Sequence, residues 1–197
     1  KITTEGKRHL GASVGSDDFR KIYCEEKVAE WCSEIERLSN FAKSQPHAAY
    51  AAFVHGEMHK FTYFMRTIPD MNIHIKKVDD MIKNRFLPSL FDSFISEQDQ
   101  KLFSLPTRFG GLGIPIFNKS GVQNHYASKN ITSPLVAIML TQGDFLPDTN
   151  EINVKKKESK RQQEMVTKMT SDNIENKLND KTLRSIKEAK KKGASSW

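Results

Sequence analysis

The sequence has 197 residues, of which 37% are hydrophobic, with 31 Lys and Arg against 24 Asp and Glu. This length fits one domain with an extension, and the longest apolar run, residues 134–140, is far shorter than the roughly 18 residues that a membrane span requires. Two cysteines, Cys24 and Cys32, cannot build a disulfide framework or a four-ligand zinc site by themselves. The composition therefore excludes a disulfide-stapled secreted domain, a membrane protein and a zinc ribbon.

The chain starts without Met and carries no signal-like apolar stretch. We therefore expect a piece of a longer intracellular protein, nuclear or cytoplasmic.

The positive charge is concentrated in the last quarter of the chain. Residues 1–150 carry 18 Lys and Arg against 17 Asp and Glu, whereas residues 151–197 carry 13 against 7. A turn-rich stretch at 143–150 separates the two parts. We expect a β-hairpin at 1–16, a helical body at 17–145 and a Lys-rich extension at 146–197, with nucleic acid as the first candidate partner.

The hairpin and the first helix are predicted from local signals. Residues 2–4 and 9–14 favour strand, and Glu5-Gly6 supplies a residue that tolerates positive φ at a turn. Ser16 offers a capping oxygen and Asp17 negative charge for a helix N-terminus. Apolar residues then recur at steps of three and four over much of the stretch to Phe41, which predicts one long amphipathic helix.

Prolines predict the limits of the next two helices. Pro46 suits the first turn of a second helix, and Pro69 ends it. A third helix is predicted from about Asn72 to the residue before Pro88. The second helix is rich in aromatic residues and poor in acids, so we expect it to be buried on most sides.

The rest of the body is predicted to be helical around one glycine-rich break. Ser96, with Asp99 three residues later, forms a capping-box start for a short helix that ends at Leu105-Pro106. Three glycines then break the chain before Ile114. A helix pair at 119–131 and 134–141 completes a mainly α fold, a helical bundle with a short N-terminal β-hairpin and a basic extension.

The extension supports two interpretations from sequence alone. Its sparse apolar positions drift around a helix instead of holding one face. It is either a solvated, partly helical linker or an arm that orders on contact with a polyanion.

No catalytic or metal site is predicted. His55 and His59 share a helix face, but Glu57 stands one position too late for the zinc-protease pattern, and no third ligand has a suitable spacing. The adjacent pairs Asp17-Asp18 and Asp79-Asp80 fit helix caps or exposed helix faces. We expect the two cysteines to be core thiols.

Three stretches in series resemble one known family. They are EGKRHLGASVGS at 5–16, QPHAAYAAFVHG at 45–56 with FTYFMRTIP at 61–69, and LPTRFGGLGI at 105–114. In this order and spacing they resemble the segment downstream of the polymerase active site in reverse transcriptases of non-long-terminal-repeat (LINE-type) retrotransposons. The resemblance extends over nearly the whole chain. It is closest to the animal group whose polyprotein ends in a Cys/His knuckle and a restriction-like endonuclease.

The resemblance implies a role for each region. The hairpin from Lys7 to Gly15 looks like the end of the palm, where a Leu-Gly turn supports the primer strand. The helices from Asp17 to about Leu87 resemble the thumb, which packs along the template–primer duplex of RNA and DNA, and 105–114 would lie in the connector. Together with the first Lys run of the extension, this predicts the following nucleic-acid-binding residues: Lys7, Arg8, His9, Gly11, Lys60, Arg66, Arg108, Lys155, Lys156 and Lys157.

The family's catalytic aspartates, which hold two Mg²⁺ ions in the parent polymerase, are absent from this sequence. We therefore expect no cofactor in this segment and no polymerisation by this chain alone. Its expected partners are nucleic acid, the palm, and the knuckle and endonuclease of the same polyprotein. The alternative is an α-helical protein-interaction module with a basic linker.

Overall fold

The computed structural model describes residues 4–142, 146, 148–178 and 180–192. It is mainly α with a two-stranded antiparallel hairpin at its N-terminal end, which confirms the predicted fold class. Among the described residues, no helix combines the length and the apolar character needed to cross a membrane.

The hairpin turns at a different place from the one its composition predicts. Strand β1, Gly6–His9, pairs with strand β2, Ala12–Gly15, and the turn is Leu10-Gly11, at φ 48° and 86°. Two successive residues with positive φ match the right-handed twist of a tight hairpin. The predicted turn at Glu5-Gly6 is therefore wrong, because Gly6 is a strand residue that pairs with Gly15. Of the predicted first strand at 2–4, residues 2 and 3 lie outside the described residues.

Helix α1, Asp17–Ala42, confirms the long amphipathic helix. The Ser16 hydroxyl accepts a hydrogen bond from the Phe19 backbone N–H at 3.2 Å, and two acidic residues occupy the first turn. The side of the helix that carries Val28, Trp31 and Ile35 is buried against the remaining helices.

The second predicted helix is a continuous run of three segments: α2, Pro46–Ala52, a π-helical turn, Phe53–Glu57, and α3, Met58–Thr67. Its start at Pro46 and its end before Pro69 are confirmed.

Aromatic rings from this run form the centre of the core. Phe61 is fully buried, with its ring centroid 5.0 Å from that of Trp31, and the Phe53 ring packs at a tilt with its centroid 4.8 Å from that of Phe86. The π-turn adds a residue to the helical turn and so changes which residues of α3 face the core.

The third predicted helix is longer than expected. It consists of α4, Met71–His74, α5, Lys76–Met81, a π-helical turn, Ile82–Phe86, and α6, Leu87–Phe91. The predicted end before Pro88 is wrong, because the wide turn just ahead of Pro88 relieves the regular i→i−4 pattern that a proline would break.

A short helix and a glycine turn follow. Helix α7, Glu97–Phe103, has the predicted capping box: the Asp99 N–H donates to the Ser96 hydroxyl at 3.1 Å, and the Ser96 N–H donates to the Asp99 carboxylate at 3.0 Å. A 3₁₀ turn, Thr107–Phe109, then leads into Gly110 and Gly113, both at positive φ.

The predicted helix pair at 119–131 and 134–141 is a single helix, α8, Phe117–Thr141, with Pro134 inside it. A carboxylate from another helix caps its start. The Phe117 and Asn118 N–H groups each donate to the Asp79 carboxylate at 2.8 Å, and Asp79 is only 6% exposed. The cap and the contact of Phe117 with Phe61, at 5.1 Å, fix the start of this helix, and Pro134 in its second half is buried.

The described part of the extension folds back on the body instead of remaining a solvated linker. Helix α9, Thr149–Glu175, packs on α8 and α7, and helix α10, Asp180–Lys192, packs on the 3₁₀ turn at 107–109. Ile174 and Ile186 are buried, whereas Met165 and Met169 stay exposed. The apolar positions drift around α9 because its two halves touch different neighbours.

Replacing the capping carboxylate should destabilise the whole bundle. We expect Asp79→Ala to lower the free energy of unfolding at pH 7 by about 2–4 kcal/mol, because two buried N–H groups lose their acceptor. Chemical denaturation measures the change, and Asp80→Asn, at an exposed neighbouring position, is the control that should stay within about 0.5 kcal/mol.

The same comparison across pH tests the charge state of the cap. Burial raises the pKa of Asp79 to about 6, against the opposing effect of its two backbone donors. The pKa of Asp79 is therefore higher in the folded state than in the unfolded state. Its contribution to the free energy of unfolding is fully present below about pH 4 and is lost as the pH rises through about 6. The difference in stability between the unsubstituted chain and Asp79→Ala should therefore widen from pH 7 to pH 4; a narrowing would contradict this.

The docking of α10 should depend on the space at Gly110. A Cβ at Gly110 would lie 3.0 Å from the Ile186 side chain, whereas a Cβ at Gly113 would meet nothing within 4 Å. Asn tolerates positive φ, so Gly110→Asn should displace Ile186 and accelerate amide exchange in α10, at a cost of about 1–2 kcal/mol of burial. Gly113→Asn is the matched control, and equal exchange rates in the two variants would contradict the contact.

Candidate nucleic-acid interface

Two tyrosine hydroxyls hold the tip of the hairpin on the helices. Tyr23 of α1 donates to the Gly11 carbonyl at 2.7 Å, and Tyr63 of α3 donates to the Leu10 carbonyl. Both rings pack against Phe64, with centroid distances of 6.0 and 5.8 Å. The turn is therefore anchored from two helices and has a defined position relative to both.

The anchored hairpin presents basic and apolar groups to solvent. Lys7, Arg8 and His9 on β1 are all exposed, and the Arg8 guanidinium lies 5.9 Å from the centroid of the Tyr23 ring. Leu10 at the tip is 83% exposed. The predicted residues of the hairpin, including Gly11, thus lie on one projection that carries exposed basic side chains and whose turn is anchored to two helices.

Lys60, the first predicted residue on α3, is bound by two acids. Its ammonium lies 3.2 Å from Glu34 and 3.0 Å from Glu57. Partial burial acts to lower the pKa of Lys60, but hydrogen bonds to Glu57 and Glu34 outweigh it and raise that pKa. Lys60 therefore joins α1 to the helical run at 46–67, and its positive charge is already paired with two carboxylates.

Arg66, the second predicted residue on α3, lies at the edge of a groove. Three helices, α3, α8 and α9, enclose this groove of about 310 Å³, which we call the basic groove. Its cationic lining residues are Arg66, Lys156 and Lys160. Its neutral polar lining residues are Asn124, Ser128, Thr132, Ser159 and Gln163.

The three predicted lysines of the extension differ in their surroundings. Lys155 lies 3.6 Å from Glu151 and donates to the Ser133 hydroxyl at 3.3 Å, so it ties α9 to α8. Lys156 lines the basic groove, and Lys157 is exposed and does not line it. Lys160 was missed as a site residue, although its spacing of four from Lys156 places both on one helix face.

Arg108 serves the docking of the extension. Its guanidinium lies 5.4 Å from the Phe109 ring centroid and 3.9 Å from Glu164 of α9. On the same ring, Lys190 of α10 lies at 5.4 Å while it also pairs with Glu175. The 3₁₀ turn at 107–109 is therefore a contact point for both helices of the extension.

The histidine pair does not assemble a metal site in the described part of the chain, where no group of three or more His, Cys, Asp or Glu residues could hold an ion. His55 lies in the π-turn, and both His55 and His59 are exposed. Both cysteines are free thiols, Cys24 being buried and Cys32 partly so. Burial raises the pKa of the Cys24 thiol to about 11 and also raises that of Cys32. High pKa values of this kind belong to inert core thiols.

Comparison with protein-family models finds no match for this chain, and neither does comparison with curated proteins or with solved structures.

Loss of either tyrosine hydroxyl should loosen the tip of the hairpin. We expect Tyr23→Phe and Tyr63→Phe each to cost about 0.5–1.5 kcal/mol, the usual net contribution of one hydrogen bond. Amide exchange in residues 6–15 should accelerate in both variants. Tyr126→Phe, at a side chain that is 66% exposed, is the control and should leave the hairpin unchanged.

Proposed function

We propose that this chain is the nucleic-acid-gripping thumb and connector of a retroelement RNA-directed DNA polymerase, and that it holds template–primer without catalysing synthesis itself. The observation that carries the proposal is the basic hairpin tip fixed by Tyr23 and Tyr63 on two helices. In the resembled family a Leu-Gly turn supports the primer strand, and here the turn is Leu10-Gly11.

The chemistry of the hairpin suits phosphate contacts. Exposed Lys7, Arg8 and His9 offer hydrogen-bond donors and positive charge, and a guanidinium can hold a phosphate through two parallel hydrogen bonds. Contacts of this kind fix the register of a duplex without reading its sequence, as a polymerase requires. Because the hairpin turn is anchored to two helices, the hairpin backbone loses little conformational freedom on binding, which favours affinity.

The carboxylates of the chain support a gripping role over a catalytic one. The buried carboxylate of Asp79 already caps α8 through two hydrogen bonds. The aspartate block that holds two metal ions in the resembled family is absent from the sequence. RNA and DNA, the palm, and the downstream knuckle and endonuclease are the partners that this proposal implies.

A second candidate function is a protein-interaction module. Its support is the exposure of three apolar side chains on the hairpin and the start of α1: Leu10, Val14 and Ile22 are 83%, 64% and 58% exposed. Exposed apolar surface of this kind is typical of protein–protein contacts where it is contiguous. These side chains could also contact a neighbouring palm domain, so they are compatible with both functions.

The two functions differ in the binding of an RNA–DNA hybrid. We expect the full chain to bind a fluorescein-labelled hybrid in fluorescence anisotropy, with log K falling linearly with log salt. Arg8→Gln should weaken binding and lower the salt slope by about 0.9, the value of one phosphate contact on a B-form duplex. The effect should be the same for different sequences.

Lys43→Gln provides the matched control. It removes one positive charge at the far end of α1, about 39 Å from the hairpin for a 26-residue helix, and Lys43 is exposed. Equal binding by Arg8→Gln, Lys43→Gln and the unsubstituted chain would overturn the role of the hairpin, and absence of hybrid binding would favour the interaction module.

A further inference from the structure

The basic groove exists only because the extension docks on the body. One of its walls is α9, and the other walls are α3 and α8. Arg66 comes from the body, whereas Lys156 and Lys160 come from the extension. Two regions that are more than 80 residues apart in sequence thus supply one set of positive charges.

In the described part of the chain, the basic side chains of the groove have no acidic partner. None of the lining residues is acidic. Within the described ranges, no acidic group lies within 4.0 Å of the charged nitrogens of Arg66, Lys156 or Lys160. Glu164, one helical turn after Lys160, is held by Arg108 at 3.9 Å. Six other basic residues of the described ranges pair with an acid, and the three basic residues of the groove do not.

The arrangement of donors suits a linear polyanion. Lys156 and Lys160 are one helical turn apart, about 6 Å along the axis of α9. Arg66 lies on the facing wall, and hydroxyl or amide groups such as those of Ser128, Ser159 and Gln163 line the space between. Cations in a row with neutral donors beside them are the side chains that contact phosphate oxygens and sugars in nucleic-acid complexes.

We propose that the basic groove binds the sugar–phosphate backbone of a single nucleic-acid strand, an inference that rests on the nucleic-acid-gripping function proposed above. A duplex, whose major groove alone is about 12 Å wide, is too wide to enter a groove of about 310 Å³. A strand lying between α3, α8 and α9 would continue from the hairpin side, because Arg66 is one turn beyond Tyr63, which holds the hairpin tip.

Strand binding and docking of the extension should support each other. A ligand that touches Arg66 together with Lys156 binds only the docked arrangement, so it stabilises that arrangement by mass action. Linkage makes the effect reciprocal. A variant that lowers the equilibrium constant for docking of the extension should weaken strand binding by the factor by which strand binding would strengthen docking.

The test uses the full chain and a labelled 20-nucleotide single strand of mixed sequence, as RNA and as DNA. The variant Arg66→Gln/Lys156→Gln/Lys160→Gln should lower the salt slope of log K by about 2, at roughly 0.7 for each phosphate contact on a single strand. All three positions are exposed, and circular dichroism checks that the fold is kept. The charge-conserving variant Arg66→Lys/Lys156→Arg/Lys160→Arg should keep most of the slope.

The matched control is Lys168→Gln/Lys181→Gln/Arg184→Gln. It removes two lysines and one arginine from exposed positions of the extension that do not line the groove. It should change the slope by much less than the groove variant. Equal losses in the two variants would overturn the proposal and mean that the extension acts as an unspecific polycation.

A second readout is amide exchange in α9 of the unsubstituted chain with and without the strand. The proposal is supported if the strand slows exchange in α9 and if this slowing is lost in the groove variant, Arg66→Gln/Lys156→Gln/Lys160→Gln. Unchanged exchange in the unsubstituted chain overturns it. Preference for a blunt duplex over the strand, with the same loss in the groove variant, also overturns it. RNA and DNA strands that bind alike indicate recognition of phosphate alone, and tighter binding of RNA indicates an added contact to the 2′-hydroxyl.

The outcomes separate this proposal from the function on which it rests. If Arg8→Gln weakens hybrid binding while the groove variant binds strands normally, the groove proposal fails and the gripping function stands. If the groove variant loses strand binding while Arg8→Gln has no effect on the hybrid, the hairpin proposal fails and the groove proposal stands.

Discussion

The buried carboxylate of Asp79 links the two halves of this protein. It accepts hydrogen bonds from the first two N–H groups of α8, at 2.8 Å each, and so fixes where that helix starts and how it meets α5. Helix α8 in turn packs on α3 through the contact of Phe117 with Phe61, and its other side receives α9. The position of the extension, and with it the basic groove, therefore depends on one charge that is costly to bury.

The fold divides the basic residues into structural ones and available ones. Lys60 and Arg108 pair with acids on other elements, and Lys155 pairs with Glu151 of its own helix while it donates to Ser133 of α8. Residues on the hairpin and around the basic groove remain open to solvent. Exposed ion pairs add little stability, so the main effect of this division is to decide which surfaces carry unpaired positive charge.

Local signals predicted a large part of the helical framework. The cap at Ser16, Pro46 as a first-turn residue and the capping box of Ser96 with Asp99 each act within one turn of the chain, so their partners are visible in the sequence. Two failures concern prolines at or beside buried positions. The π-turn before Pro88 carries the buried residues Ile82 and Phe86, and Pro134 is itself buried inside α8; local rules do not take such burial into account. The hairpin turn was misplaced because Gly6, read as a turn residue, pairs across the hairpin with Gly15.

The sequence by itself determined the mainly α class, the start of several helices and the concentration of positive charge in the extension, because periodicity, capping and composition are local properties. Strand propensity also predicted the N-terminal hairpin, although not the position of its turn. Only the tertiary structure decided that Asp79 caps a helix 38 residues away, that Lys60 is paired, and that Arg66 shares a groove with Lys156 and Lys160. These are contacts between residues far apart in the chain, and their distances are fixed only when the core packs.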